Sequence, residues 1–140
     1  MQTFLPYADF EKTAASLDMK RLGKQRVETM QIVKAILTPE QRGWQNHPAV
    51  NMWRGYLGAL LDYQAAICYE WVANRGYKDT CFEKTEVLLQ GQDVINDYPD
   101  WLGNPDLHTS HQSNLLRKDP IFYGAVFPDV PNDLEYVWPA

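Results

Sequence analysis

The run from Arg21 to Glu28 holds the densest group of ionisable and amide side chains in the chain. If this run is helical, a step of about 100° per residue brings four of them to one face. They are Arg21, Lys24, Gln25 and Glu28. A carboxylate beside two cations is favoured in its ionised form, in which it can orient a reacting group or stabilise a cationic intermediate. The alternative is a solvated helix face with ordinary pairs between residues four apart.

Two further residues of this run indicate a close contact. Gly23 in the middle of a helix costs about 1 kcal/mol relative to alanine, which favours the approach of another backbone or of a ligand. Arg26 lies on the apolar side of the same helix. A buried guanidinium needs a partner, so Arg26 is either paired within the protein or reaches a ligand.

The three histidines, His47, His108 and His111, precede or start predicted helices. His108 and His111 share a helix face, because they are three positions apart in the sequence. Together with His47 they could form a three-histidine metal site, although their spacing is not a specific metal signature. Helix capping, or contact with a phosphate or a base, fits their positions better. We therefore predict no bound metal and no cofactor.

A second polar run covers residues 111–123 and ends in aromatic residues. It offers amide and basic groups that suit a nucleic-acid backbone, followed by rings that can stack on a base. The candidates are His111, Asn114, Arg117, Lys118 and Tyr123. The alternative is the polar end of a helix whose aromatic residues belong to the core. The chain has no phosphate-binding glycine loop, serine nucleophile motif or zinc-protease motif.

The composition describes an acidic globular protein. Its 140 residues carry 13 basic and 18 acidic side chains, a formal net charge of -5. The length predicts one domain spanning residues 1–140, which needs no metal or disulfide to fold. Screening over about 10 Å still allows a local phosphate-binding face, and residues 17–42 carry an excess of basic residues. Without a CxxC pair or a secretory signal, we expect a cytoplasmic monomer that does not enter a membrane.

Helices have to position these groups, and apolar periodicity predicts them over most of the chain. They cover residues 10–16, 19–37, 48–75, 81–90 and 108–118. The second helix should bury a stripe made of Met19, Leu22, Met30, Val33 and Leu37. The predicted fold is therefore an all-α, compact single-domain bundle of about five helices with an extended C-terminal tail.

Capping residues mark the ends of these helices. Asp9 and Asp18 precede the first two, and Pro48 suits the first position of the third, with Gly76 just past its end. The fourth has a capping-box pair, Thr80 and Glu83.

Proline and glycine mark the breaks between the helices. Thr38-Pro39 ends the second helix before a loop over residues 41–48, and a second loop covers residues 96–106. Asp119-Pro120 stops the last helix and starts another turn. The proline-rich tail is expected to wrap around the protein, anchored by Tyr136 and Trp138.

Several segments, in order, resemble the phage pyrimidine-dimer DNA glycosylases, small all-helical ultraviolet-repair enzymes also called endonuclease V. The first long helix carries Arg26 and Glu28, and the next opens at Pro48 and ends in Arg75-Gly76-Tyr77-Lys78-Asp79-Thr80, similar to the family's ending. A polar helix near the C-terminus is followed by Pro120 and aromatic residues. The segments MQTFLPY, LGKQRVE, NHPAVNMWRGY and RKDP are similar to bacterial and phage relatives of these enzymes.

The resemblance implies an activity and the residues for it. An enzyme of this family bends lesion-bearing DNA and flips a nucleotide out of the stack. A primary amine attacks C1′ of the damaged nucleotide, and the resulting imine permits strand cleavage by β-elimination, assisted by a glutamate. Glu28 is the match to that glutamate. The amine is that of Met1, since a bulky Gln2 usually leaves the initiator methionine in place, or that of Lys24.

The sequence thus predicts a DNA N-glycosylase with an AP-lyase step, acting on damaged or modified pyrimidines in DNA. The expected DNA contacts are Arg21, Gln25, Arg26, His47, His108, His111, Asn114, Arg117, Lys118 and Tyr123. One alternative is a non-catalytic module that holds a modified nucleotide or a nucleic acid with Lys24, Arg26, His108 and His111. A second alternative is a three-histidine metallohydrolase.

Overall fold

The computed structural model describes residues 1–38 and 46–139. Within these residues the chain is helical and contains no strand, which confirms the predicted all-α class. The helices are α1 Phe10–Ser16, α2 Met19–Leu37, α3 Pro48–Asn51, α4 Leu57–Tyr69, α5 Cys81–Leu89, α6 Pro105–Lys118 and α7 Pro120–Val126. A π-helical turn, Glu70–Asn74, continues α4. No helix among these residues is long and apolar enough to cross a membrane. Pro39 and residues 41–45 of the first predicted loop lie outside the described ranges.

Aspartate side chains fix the starts of α1 and α2, as predicted. Asp9 Oδ1 accepts a hydrogen bond from the backbone N–H of Lys12 at 3.0 Å, and Asp18 Oδ2 accepts one from Arg21 at 3.4 Å. Both carboxylates satisfy N–H groups that the first turn of a helix leaves unpaired. The second cap also sets where α2 begins, and therefore which of its side chains share a face.

The helix predicted over residues 48–75 is wrong, because the chain turns between α3 and α4. Gly55 takes a φ of +83°, a left-handed conformation that favours glycine. The turn lets Trp53 enter the core, where it is fully buried and donates its indole N–H to Oγ1 of Thr3 at 3.0 Å. Burial of a large apolar side chain contributes on the order of 3 kcal/mol, which offsets the helical hydrogen bonds that are not formed at the turn.

The capping box predicted at Thr80 and Glu83 is also wrong, since the side chain of Thr80 does not cap α5. Asp79 caps this helix instead. Its two carboxylate oxygens accept hydrogen bonds from the backbone N–H groups of Cys81 and Phe82 at 3.1 and 3.0 Å. A charged acceptor makes stronger hydrogen bonds to N–H groups than a hydroxyl does, which explains the preference.

The two C-terminal helices both begin at a proline. α6 starts at Pro105, earlier than the predicted residue 108, because Asn104 caps it through the N–H of Asp106 at 3.0 Å. Asp119 follows α6 and caps α7 through the N–H of Phe122 at 3.1 Å. This confirms the further turn predicted at Asp119-Pro120.

α2 packs against both α4 and α5. Leu22 and Val33 of the predicted stripe are fully buried, whereas Met19 is 52% exposed. The helix also buries the polar residues Gln25 and Thr29, because the N-terminal segment of the chain lies along this side. The buried face of α2 is therefore broader than its apolar stripe.

The segment after α7 forms no helix or strand as far as residue 139 and lies against α6. The backbone N–H groups of Leu134 and Val137 donate to serine hydroxyls of α6 at 3.0 and 3.1 Å. Tyr136 and Trp138 pack against the hydrophobic core. We call residues 128–139 the C-terminal strap.

Candidate active site

A groove of about 480 Å³ lies between α2, the first residues of the chain and the C-terminal strap. It brings together side chains that are far apart in the sequence. Of the residues expected to act in catalysis or binding, Met1, Arg21, Lys24, Gln25, Glu28, His47 and Lys118 line it. The lining also contains Gln2, Phe4, Lys20, Tyr136 and Trp138.

The N-terminal segment, residues 1–6, is held against α2 by the side chain of Gln25. The backbone N–H of Phe4 donates to Gln25 Oε1 at 3.0 Å, and Gln25 Nε2 donates to the carbonyl oxygen of Gln2 at 3.0 Å. Gln25 is 1% exposed, and an unpaired amide at such a site would cost about 1–3 kcal/mol. Gln25, predicted to contact DNA, therefore positions the start of the chain.

Two histidines of α6 hold the same segment. The N–H of Leu5 donates to His111 Nδ1 at 2.9 Å, and His108 Nδ1 donates to the carbonyl oxygen of Leu5 at 2.7 Å. The N–H of Gly103 donates to His108 Nε2 at 2.9 Å, which fixes the proton of His108 on Nδ1. Burial, and then the nearby His108, lower the pKa of His111 to about 3. Both rings are buried and hydrogen-bonded to backbone groups, so we do not include them among the DNA contacts.

The three-histidine metal site is wrong. In the part of the chain that the structure describes, no three metal-ligating side chains come close enough to hold an ion. His47 lies at the groove, where its Nδ1 accepts the N–H of Ala49 at 3.0 Å and caps α3. His108 and His111 share a face of α6, as the spacing indicated, but that face is turned to the N-terminal segment.

The carboxylate of Glu28 is fixed in the groove through one oxygen. Its Oε2 accepts hydrogen bonds from the backbone N–H of Gln2 at 3.2 Å and from Nε2 of Gln25 at 3.1 Å. Within residues 1–38 and 46–139, no hydrogen bond ends on Oε1 of Glu28. A carboxylate held in this way keeps its second oxygen available to accept a proton or to face a cation.

Positive charge surrounds this carboxylate. The cationic side chains that line the groove are Lys20, Arg21, Lys24 and Lys118. Arg21 also pairs with Asp18 at 3.3 Å. Such a local concentration of cations attracts phosphate groups within the screening length, even on a protein whose formal net charge is -5.

The α-amine of Met1 and the carboxylate of Glu28 both act on His47. The pKa of His47 is lowered, first by burial and then by the positive charge of the amine, while the charge of Glu28 opposes both effects. Charges influence a titrating group in this way only over short distances. Met1, Glu28 and His47 all line the groove, where their charges act on one another.

Tyr136 and Trp138 form an aromatic wall of the groove. Their ring centroids are 5.6 Å apart, and Trp138 meets the ring of His47 edge to face at 6.4 Å. The sequence predicts only an anchoring role for both residues, because the tail has no helical period. The signal available was their spacing: residues two apart on an extended chain point to the same side.

Arg26 does not line the groove. Its guanidinium pairs with Asp79 at 2.6 Å and covers the ring of Trp71 at 4.5 Å. Burial opposes the ionisation of Asp79, but the N–H of Phe82 and the guanidinium outweigh it and lower the pKa of this carboxyl. Pairing within the protein is thus the alternative that is observed for Arg26. A Cβ at Gly23 would lie 3.0 Å from the same indole ring, so the close contact inferred for this glycine is with Trp71.

Three more residues predicted to contact DNA are used by the protein itself. Asn114 donates to a carbonyl oxygen of the strap at 3.2 Å, and Arg117 donates to two of them at 2.7 and 2.6 Å. Tyr123 is fully buried and hydrogen-bonds the carboxylate of Asp18. The alternative interpretation of this region, a polar helix end with aromatic residues in the core, describes it well.

The fold and the groove define a class: an all-α protein with a cationic groove that Met1 and the carboxylate-bearing Glu28 line. Comparison with protein families identifies it further. A sequence model of the pyrimidine dimer DNA glycosylase family matches residues 1–85, more than half of the chain, and the protein belongs to this family. The matched residues include the N-terminal segment and α2. Comparison with curated proteins and with solved structures gave no match.

Proposed function

We propose that this protein is a DNA glycosylase that removes damaged or modified pyrimidines and then cleaves the strand as an AP lyase. The observation that carries the proposal is the groove in which the α-amine of Met1, the carboxylate of Glu28 and a ring of cations come together. Membership of the pyrimidine dimer DNA glycosylase family supports the same class of substrate. We further propose that it acts on duplex DNA as a monomer in the cytoplasm.

The proposed reaction starts with the neutral amine. Its nitrogen forms a bond to C1′ of the damaged nucleotide as the bond from C1′ to the base breaks, and the base keeps the electron pair and takes a proton from solvent. The base is thereby released from its sugar, although in a pyrimidine dimer it stays joined to the neighbouring base. The nitrogen then loses a proton and the sugar ring opens, with the ring oxygen taking a proton, which gives a protonated imine. Removal of a proton from C2′ expels the 3′ phosphate by β-elimination. We assign three proton transfers to Oε1 of Glu28: it takes the proton from the nitrogen, gives it to the ring oxygen and then takes the proton from C2′, a role worth about 10²–10⁴-fold in rate.

Met1 is a better nucleophile for this reaction than Lys24. The residue next to it, Gln2, is bonded to Glu28 through its backbone N–H, which restricts where the Met1 amine can lie. Lys24 is exposed on α2 and suits a phosphate contact.

The cationic side chains of the groove would hold the DNA backbone. Lys20, Arg21 and Lys24 lie along one side of α2, and Lys118 stands at the end of α6. Contacts of this kind neutralise phosphates and release counterions. They carry no sequence preference, as expected for an enzyme that has to find a lesion in any sequence.

Borohydride trapping on duplex DNA with an abasic site tests the amine chemistry. Reduction of the imine leaves the protein covalently joined to the DNA, and peptide mapping of the adduct identifies the nitrogen. We expect the adduct at Met1. An adduct at Lys24 would reassign the nucleophile, and no adduct with the wild-type protein would remove the lyase step.

Glu28→Gln tests the role of the carboxylate. Glutamine has nearly the same size and can still accept the N–H of Gln2, but it cannot exchange a proton. We expect base release from dimer-containing duplex to fall about 100-fold or more, with DNA affinity unchanged in fluorescence anisotropy. Glu86→Gln, at an exposed position of α5, is the matched control. DNA binding without base release from any lesion would favour the non-catalytic nucleotide-binding module.

A further inference from the structure

Arg117 makes two of the hydrogen bonds that fasten the C-terminal strap to α6. Arg117 donates from Nη1 to the carbonyl oxygen of Asn132 at 2.7 Å and from Nη2 to that of Leu134 at 2.6 Å. Nη2 also bonds the side-chain oxygen of Asn114, whose own Nδ2 donates to the Leu134 carbonyl at 3.2 Å. Nη1 also donates to Ser113 Oγ at 3.4 Å, so the planar guanidinium holds four oxygens at once, which a lysine ammonium does not do with the same geometry.

The fastened strap carries two rings to the groove. Val137, which stands between them, donates its backbone N–H to Ser110 Oγ at 3.1 Å. The ring of Tyr136 meets His111 edge to face at 5.3 Å. Tyr136 and Trp138 point to the same side, since their ring centroids are 5.6 Å apart and both residues line the groove.

The two walls of the groove differ in chemistry. α2 supplies the cations Lys20, Arg21 and Lys24. The strap supplies the aromatic rings of Tyr136 and Trp138, and from residue 128 onwards the sequence has no basic residue. A phosphate is drawn to the first wall, whereas a nucleobase stacks on the rings of the second. A nucleotide, charged at one end and aromatic at the other, therefore fits in one orientation.

We propose that Tyr136 and Trp138 are the base-contacting residues of this groove, and that the strap gives the enzyme its preference for a nucleotide that still carries its base. Arg117 is the positioning residue that keeps the strap in place. This inference rests on the proposed function, because it takes damaged DNA as the ligand. The strap lies outside the residues matched by the family model, which end at residue 85.

Two duplexes of the same sequence test the inference, one with a pyrimidine dimer and one with an abasic site at that position. Trp138→Leu keeps an apolar side chain without a π face, and Trp138→Phe keeps a ring. We expect Trp138→Leu to lower kcat/KM for base release about tenfold or more, while cleavage at the abasic site stays within about twofold. Trp138→Phe should recover most of the loss. Val137→Ala is the matched control, since it lies on the same strap and keeps its backbone hydrogen bond.

Equal losses on both duplexes, or no loss of base release, would overturn the inference. Circular dichroism and thermal melting check that the variants fold. Should the Trp138→Leu protein not fold, Tyr136→Leu and Tyr136→Phe make the same comparison. Arg117→Ala should reproduce the selective loss of base release, because it removes two of the hydrogen bonds that position the strap without removing a ring.

Binding measurements separate this inference from the proposed chemistry. If the wild-type protein forms no borohydride adduct, the proposed chemistry has failed, and anisotropy then decides the strap inference. Trp138→Leu must weaken binding of the dimer-containing duplex about tenfold and leave binding of a duplex with a reduced abasic site unchanged. Equal affinities of the wild-type protein for the two duplexes would overturn it, and no DNA binding at all would overturn both proposals.

Discussion

The backbone N–H of Gln2 donates to Oε2 of Glu28 over 3.2 Å, although 26 positions separate the two residues in the sequence. This bond ties the start of the chain to α2. The carboxylate of Glu28 thus holds Gln2, and the α-amine belongs to the preceding residue, Met1. A lysine nucleophile would have to be ordered along a flexible four-carbon stem. The amine of Met1 loses much less conformational entropy, because the backbone next to it is already hydrogen-bonded to Glu28.

The chain should keep its initiator methionine, and blocking its amine should abolish the borohydride adduct. Gln2 is bulky, which disfavours removal of Met1, and an exposed glutamine would cyclise and lose its amine. Intact mass spectrometry of the purified protein should therefore include Met1. N-terminal acetylation should remove the adduct and retain DNA binding. An adduct formed by the acetylated protein would point to Lys24 instead.

Replacing the lysines of α2 should weaken DNA binding and reduce its salt dependence. Lys20→Gln and Lys24→Gln each remove one cation from the groove. The slope of log K against log salt concentration should become shallower by about 0.9 for each phosphate that the protein no longer neutralises. Anisotropy titrations at several salt concentrations measure this slope. Lys84→Gln, at an exposed position of α5, is the control, and an unchanged slope in the α2 variants would show that these lysines do not neutralise phosphates.

Arg26→Ala should destabilise the protein without changing its affinity for DNA. The side chains of Arg26 and Asp79 are 16% and 6% exposed. Removing one partner of a buried pair leaves an uncompensated charge, and with this partial exposure we expect a loss of about 2–3 kcal/mol in the free energy of unfolding. Urea denaturation measures the loss, with Lys34→Ala at an exposed position of α2 as control. Normal stability with weakened DNA binding would show that Arg26 reaches a ligand after all.

Acid should destabilise the protein through His111. Burial lowers its pKa in the folded protein to about 3, whereas an unfolded histidine titrates near 6.5. Between these values the unfolded chain binds a proton that the folded chain does not. The contribution of neutral His111 is therefore complete above about pH 6.5 and is lost as the pH falls towards 3, by up to about 1.4 kcal/mol per pH unit.

His111→Asn should flatten this pH dependence. The asparagine oxygen can accept the N–H of Leu5 in place of Nδ1 but does not titrate. Urea midpoints measured at about pH 7 and about pH 4.5 compare the two proteins. Stability that falls equally in both over this range would assign the acid sensitivity to other groups.

Two glycine-to-alanine substitutions should act in opposite directions. A Cβ at Gly58 would lie 2.5 Å from the carbonyl oxygen of Ile95, so Gly58→Ala has to displace backbone and should lower the melting temperature. A Cβ at Gly124 in α7 would meet nothing within 4 Å, and Gly124→Ala should stabilise the protein by about 0.5–1 kcal/mol. Thermal denaturation followed by circular dichroism measures both. A Gly58→Ala protein as stable as the wild type would mean that the segment around Ile95 is not packed against α4.

Local interactions explain what could be predicted from the sequence. The all-α class follows from helical periodicity, the starts of α1 and α2 follow from Asp9 and Asp18, and the shared face of Lys24 and Glu28 follows from residues one turn apart. The capping-box pattern at Thr80 failed because the adjacent Asp79 is the stronger hydrogen-bond acceptor, and its carboxylate caps α5 instead.

Only the tertiary structure decided which of these groups meet. Leu5 bonds His111 across 106 positions of sequence, and Trp138 of the strap joins the N-terminal segment at the groove. Such contacts depend on how helices pack and on which buried polar groups find partners, and no periodicity of one segment encodes them. For the same reason His111, Asn114, Arg117 and Tyr123, all polar and promising as DNA contacts in the sequence, serve the interior and the strap.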